Sequence, residues 1–399
     1  MAVEIRAERV QDEPSRGAMW RDPRVRSIAY QILTVVLFLL FVGFIVRNLV
    51  INLERQGIAS GFGFLGTTAG FDIGFTLIDY SAVSTYGQAF WVGLMNTILV
   101  AAVGCLLATL VGFVLGIARL STNWLLARLA TVYVETVRNI PLLLQLFFWY
   151  FAVLAALPHP RDSLAVGEAV FLNNRGLIIP RTIFESGSLA VLIAFLIGVT
   201  GAIVVARWAR RRREETGQSF PTALTVLGLV LGLPLVVLLV TGVPLAFEFA
   251  EMGRFRLEGG LTLVPEFVAL LAGLTIYTAA FIGEIVRAGI LAISHGQVEA
   301  AHALGLKQSH TLRIVIIPQA MRVIIPPLTS QYLNLTKNSS LAVAIGYPDV
   351  VAIVAGTILN QTGQAVEAIA MTMAVYLTLS LLISLFMNWY NRRAALVER

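Results

Sequence analysis

Apolar blocks about 20 residues long alternate along the chain with shorter stretches where arginine and glycine gather. A helix needs around 20 residues to cross a hydrocarbon core of about 30 Å. Blocks of that kind at 28–46, 89–118, 141–157, 189–206, 223–242, 266–286, 320–345 and 366–387 predict eight spans. The first, 19 residues with no small-residue cleavage site, is too long for the usual signal-peptide core and reads as a retained span. The seventh is interrupted by Asn334, Thr336, Lys337, Asn338, Ser339 and Ser340, which signals a broken helix. The expected fold is an all-α polytopic transmembrane helical bundle.

Composition agrees with that reading. Hydrophobic residues make up 57% of the 399 positions and charged residues only 13%, against roughly 25% charged in an average soluble domain. The net charge of +6 rests almost wholly on arginine. Most arginines sit in short segments beside apolar blocks, where they orient a membrane protein, so no nucleic-acid surface is expected. With a cytoplasmic N-terminus, 21 basic residues fall on the inner side and seven outside, with Lys337 left in the membrane. That asymmetry predicts both termini in the cytoplasm. The outer segments, a glycine-rich stretch over 52–88 and a loop over 158–188, have no pattern of a folded domain. Cys105 lies in an apolar block without a disulfide partner and reads as a packing residue.

Catalytic signatures are missing. No glycine precedes a lysine, so the phosphate-cradling G-x-x-x-x-G-K-[ST] loop cannot be built and any ATP site belongs to a partner. The histidines 159, 295, 302 and 310 have no spacing that sets two metal ligands on one helical face. No G-x-S-x-G elbow occurs. Neither a catalytic residue nor a metal site is expected, and no cofactor on this chain.

The long basic-side loop between the sixth and seventh blocks carries the most information. Ser294 followed by Gln297 is a capping-box signal and Gly305 a C-terminal stop, so a short helix is expected between them. About ten residues long, it would form a knob of roughly 15 Å. Its Ala300, Ala301 and Ala303 leave little surface bulk, and Glu299 offers a charge to a basic partner.

Glu299-Ala300-Ala301, three intervening residues, Gly305, nine more and then Val315-Ile316-Ile317-Pro318 resemble the EAA loop of ABC-importer permeases, with valine and isoleucine where the pattern has isoleucine and leucine. Glu135-Thr136-Val137-Arg138-Asn139-Ile140-Pro141-Leu142-Leu143-Leu144-Gln145-Leu146 resembles the R-G-T-P-L-L-x-Q-L segment of polar-amino-acid permeases, with Asn139-Ile140 in place of Gly-Thr. Leu335-Thr336-Lys337-Asn338-Ser339-Ser340-Leu341 resembles their L-K-[DN]-[TS]-S-L stretch with one residue added. Asparagine at 139 and the extra helices are similar to the larger subunit of general L-amino-acid permeases.

The resemblance implies a type I permease core of five helices, here the second, third, sixth, seventh and eighth spans, plus three added ones. The implied organisation is a cytoplasmic segment 1–27, an added span and periplasmic glycine-rich loop 28–84, and core over 85–157. Periplasmic loops with an added helix pair follow at 158–263. The second part of the core spans 264–393, with coupling loop 287–318, before a tail at 394–399. It further implies Glu299, Ala300, Ala301, Gly305 and Pro318 as the residues coupling to a separate pair of ATPase subunits, on which ATP and Mg would sit. A second homologous permease subunit, as a heterodimer, and a periplasmic amino-acid-binding protein complete the assembly, in the lipid of a bacterial inner membrane. Asn139, Gln145, Glu284, Asn334, Lys337 and Asn338, with Gln331, are candidates to line the substrate path. Two readings fit Glu284, a substrate contact or an ion pair with Arg287 one turn along. A secondary carrier driven by an ion gradient is the rival function.

Overall fold

A computed structural model describes residues 23–394 apart from 56, 58, 59, 168, 186, 219, 244 and 254–256. The N-terminal residues 1–22 of the expected cytoplasmic segment and the 395–399 part of the tail lie outside the described residues.

Every expected span has a helix. They are α1 (Pro23–Arg55), α2 (Tyr86–Ala118) and, after α3 (Trp124–Arg138), α4 (Leu142–Phe147), which continues as a π turn over Phe148–Leu154. Next come α5 (Ser188–Thr216), then α6 (Thr222–Leu227) and α7 (Leu233–Val240), joined through a π turn, and α8 (Pro265–Leu291). The coupling loop contributes α9 (His295–Ala303) and α10 (Gln308–Thr311). A π turn leads on to α11 (Ile317–Asn338), which tightens into a 3-10 turn over Ser339–Ile345. The path through 346–365, which the apolar pattern left open, is a π-helical stretch Val351–Ile358, α12 (Leu359–Thr362) and then α13 (Ala365–Ala394). Among the described residues, seven helices are long and apolar enough to cross a membrane, and the α3–α4 pair, bent by 106°, makes up to eight where it counts as one broken span.

The closest helix pairing joins α2 to α8. Lipid supplies no hydrophobic force between helices, so small residues that admit close approach drive such packing. On α2, Gly104, Ala108, Gly112 and Gly116 recur every fourth residue and all are buried. A Cβ at Gly112 would meet Ile282 at 2.6 Å, and one at Gly116 would meet Val286 at 2.6 Å. The same device seals the added pair, where a Cβ at Gly198 of α5 would meet the Leu229 carbonyl at 2.1 Å.

The segments outside the helices are more ordered than their sequence suggested. Leu164–Val166 (β1), Val170–Asn173 (β2) and Gly176–Ile179 (β3) form an antiparallel sheet with Leu261–Leu263 (β8), in the order β1-β2-β3-β8. Between them in sequence, Arg181–Phe184 (β4) pairs with Leu245–Glu248 (β5), and Glu251–Met252 (β6) with Leu257–Glu258 (β7). The added helix pair is thus inserted between β4 and β5, two paired strands. In the glycine-rich stretch, Phe64, Ala69 and Ile73 bury themselves against Tyr86, Val350 and Ile353. By contrast the apolar window of α1 is wholly exposed.

Candidate translocation path and coupling loop

The helix expected in the coupling loop is present, with one difference at its start. Ser294 is the N-cap, but its hydroxyl makes no cap bond, and the Gln297 amide donates to the Ser294 carbonyl instead (3.1 Å). The capping box of this chain is elsewhere, at Thr85 and Gln88. The end of α9 follows the pattern closely. Gly305 takes φ 73°, its amide donates to the His302 carbonyl at 2.9 Å and Leu306 N–H to Ala301 at 3.1 Å, the pair of bonds of a Schellman cap.

That cap aims the loop. Glu299 and Ala300 are exposed, while Ala301 is buried and faces the protein rather than a partner. Leu304, 81% exposed, extends the outward face. His295 Nδ1 lies 2.9 Å from Glu299 Oε1 and orients the carboxylate. Pro318, exposed at the start of α11, follows the π turn Leu312–Ile316.

Four of the path candidates come together on α11. Asn334 and Lys337 are exposed, with Ser330 one turn before, and Asn338 and Gln331 are half-buried beside them. The opposite face of the helix buries Leu328, Leu335 and Thr336, and Leu335 fits against Gly104 of α2. The bundle therefore holds one side of α11 and leaves a polar stripe, with a lysine, on the other.

The remaining candidates are held by local structure. Gln145 is buried, and its Nε2 donates to the carbonyls of Val137 and Ile140, both at 2.9 Å. It fastens the bend between α3 and α4 rather than presenting its amide to a path. Asn139, the C-cap of α3, donates to the Glu135 carbonyl at 2.6 Å. Glu284 pairs with Arg287 at 2.8 Å and also with Arg119 at the end of α2, which reaches Glu135 of α3 at 3.4 Å. Of the two readings of Glu284, the geometry matches the ion pair, widened into a network across three helices.

A second polar cluster escaped the sequence reading. At Gly346 (φ 78°) the 3-10 turn ends, and the next residues are fastened to α2. Asn96 donates to the carbonyls of Phe75 (3.0 Å) and Pro348 (2.9 Å), and Thr97 Oγ1 accepts from Val350 N–H at 3.1 Å. Asp349 accepts from Ala352 N–H (2.8 Å) and from Tyr376 of α13 (3.2 Å). Tyr347 packs with Phe75 and Phe267, ring centroids 5.7–6.0 Å apart. Of these rings Phe75 borders a cavity of about 330 Å³, lined also by Asp72, Glu266, Gly346 and Pro348 among others. The available signal was Asn96-Thr97, a polar pair inside an apolar block.

Residues 215–396 match the family described as binding-protein-dependent transport system inner membrane component. The chain is 54% identical over 398 residues to the general L-amino acid transport system permease protein AapQ of Rhizobium johnstonii, covering 98% of this chain and 99% of that one. It is 52% identical to the putative amino-acid ABC transporter permease protein YhdX of Escherichia coli, covering 95% and 96%. The glutamate/glutamine/aspartate/asparagine transport system permease protein BztB of Rhodobacter capsulatus is 42% identical, with 95% and 96% covered.

Proposed function

The chain belongs to the binding-protein-dependent transport system inner membrane components, as a permease subunit of an amino-acid ABC importer, and from that premise we propose how it works. It carries L-amino acids inward along the polar face of α11, opposite a second, homologous permease subunit. The chain itself is not an ATPase. ATP and Mg act on a separate pair of ATPase subunits that grip α9, and a periplasmic binding protein delivers the solute. Both termini are cytoplasmic, which sets α9 and the Arg119–Glu284 network at the cytoplasmic end of the bundle.

The observation that carries this reading is the polar stripe of α11. A lysine inside a span is costly, up to about 2.5–3.5 kcal/mol at the bilayer centre on insertion scales, so the exposed Lys337 and Asn334 require a protein or water neighbour that the described residues do not supply. A second permease packed over the stripe supplies it. The groups so enclosed, an ammonium and several amides, can bind the carboxylate and ammonium of an amino acid.

For the coupling, ATP drives the change only through contacts that differ between the outward-open and inward-open states. The loop must then transmit force. Gly305 and the Schellman cap make it stiff, and Glu299, Ala300 and Leu304 form the surface gripped. Uptake of a labelled amino-acid panel by the reconstituted complex tests the proposal: accumulation that needs ATP supports it, and accumulation by this chain with an ion gradient alone supports the secondary carrier instead.

A further inference from the structure

The added helix pair has no part in the path or the coupling loop, yet its inner end is the most basic stretch of the chain. After the apolar block of α5 come Arg207, Trp208 and Arg210 to Arg213, then Glu214 and Glu215. Two of the arginines are engaged. Arg210 pairs with Glu214 at 3.0 Å, while Arg212 lies 5.3 Å over the Trp208 ring and donates to Gln218 at 2.8 Å. Arg207, Arg211 and Arg213 are exposed, with no side-chain partner among the described residues.

Length fixes where this cluster stands. The 29 residues of α5 span about 43 Å, the thickness of a bilayer with its headgroup layers, about 40–45 Å. The connection to α6 is only five residues, 217–221, and Phe220 closes it by packing edge-on against Trp208, 5.3 Å between centroids. The arginines therefore stay at the membrane boundary instead of reaching outward on a long loop. The inner end of α13 repeats the arrangement, with Arg393 4.1 Å over Trp389. A tryptophan capped by arginine one turn along thus occurs near the C-terminal ends of two separate helices, the pairing typical of an interfacial belt.

We propose that the inner end of α5 is a docking surface for anionic phospholipid headgroups of the cytoplasmic leaflet, with Arg207 and Arg211, one turn apart on the same face, holding the phosphodiester and Trp208 wedged beside it. A basic residue near an anionic leaflet contributes about 1 kcal/mol, and arginine matches a phosphate with two parallel hydrogen bonds. The site anchors the added pair, whose helix packing is chiefly internal. The leaflet assignment rests on the orientation proposed above.

The test uses the complete transport complex, purified in neutral detergent and titrated with phosphatidylglycerol or phosphatidylcholine, reading the thermal midpoint and the lipid retained in native mass spectra. Phosphatidylglycerol should raise the midpoint and phosphatidylcholine should not. An R207Q/R211Q complex should need roughly thirtyfold more phosphatidylglycerol for the same shift, and R207K/R211K should stay within a few-fold of the parent. Equal responses to the two lipids, an unaltered R207Q/R211Q complex, or an equal shift with free glycerol phosphate would each overturn the headgroup site. Orientation is read separately: Gln218→Cys, in a chain with Cys105→Ala, should react with a membrane-impermeant reagent only in inverted vesicles. Reaction from outside would overturn the orientation and with it the leaflet.

Discussion

Gln145 bonds two carbonyls, those of Val137 and Ile140, where α3 bends into α4. Gln145→Leu removes both bonds while keeping the bulk, and each hydrogen bond lost costs about 0.5–1.5 kcal/mol. The expected outcome is a lower thermal midpoint for the purified complex and little change in KM, since the amide does not face solute. Lys337 should behave in the opposite way. Lys337→Ala should leave the midpoint near the parent's and weaken uptake by about tenfold to a hundredfold, the range of a lost charge-assisted bond, chiefly through KM. Titration of uptake against amino-acid concentration separates the two. This contrast shows what single residues disclose in a sequence. Asn334, Lys337 and Asn338 stood out in the sequence as polar groups inside an apolar block, and the structure leaves them exposed or half-buried along one side of α11. Gln145 sent the same signal, but the carbonyls that satisfy it are brought close by a 106° bend; for Glu284 the pair with Arg287 one turn along was one of the two readings, and only Arg119 is added by the approach of α2 to α8.

For the helices, packing between α2 and α8 depends on glycines that no larger residue can replace without moving a neighbour. Gly116→Leu would drive its side chain into Val286 and the Gly283 carbonyl, 2.6 and 2.8 Å from a Cβ alone. Overpacking of this kind costs about 1–3 kcal/mol or more, and the expected readout is a sharp fall in the yield and midpoint of the complex, with Gly116→Ala milder. In the coupling loop, Gly305→Val requires a β-branched residue at φ 73°, and Glu299→Lys reverses the exposed charge. Both should preserve membrane insertion and lose ATP-driven uptake, with ATP hydrolysis no longer stimulated by solute-loaded binding protein. All eight apolar blocks were legible as elements, because length and hydropathy are local properties. Helix α3 was not, since its apolar residues are interleaved with Arg128, Glu135 and Arg138. Nor was the sheet: its strands are only three or four residues long, and β3 meets β8 across a separation of about eighty residues, a pairing without local trace. The capping box predicted at Ser294 did not form although the helix did, for the sequence pattern reports the end of a helix more surely than which atoms close it.

In the molecule as a whole, the buried groups and the exposed ones divide the work. A core of α2, α8 and α11, fastened to the break at Gly346 by Asn96, Thr97 and Asp349, holds the polar face of α11 steady. Helix α9, proposed as the coupling helix, stands out at one end of that core. What the single chain leaves open, the stripe around Lys337 and the surface of α9, is where its partners are proposed to sit, and α1 and the added pair extend the bundle toward lipid. Force applied by a separate ATPase at Glu299 to Gly305 should thus be the only source of uphill transport. The most direct measurement is labelled amino-acid accumulation in proteoliposomes holding the whole complex, with ATP supplied on the α9 side, for the parent and Glu299→Lys. The predicted result is ATP-dependent accumulation by the parent that falls to background in the variant, while assembly of the subunits is retained. Accumulation by the variant equal to the parent's, or by this chain without its ATPase, would contradict it.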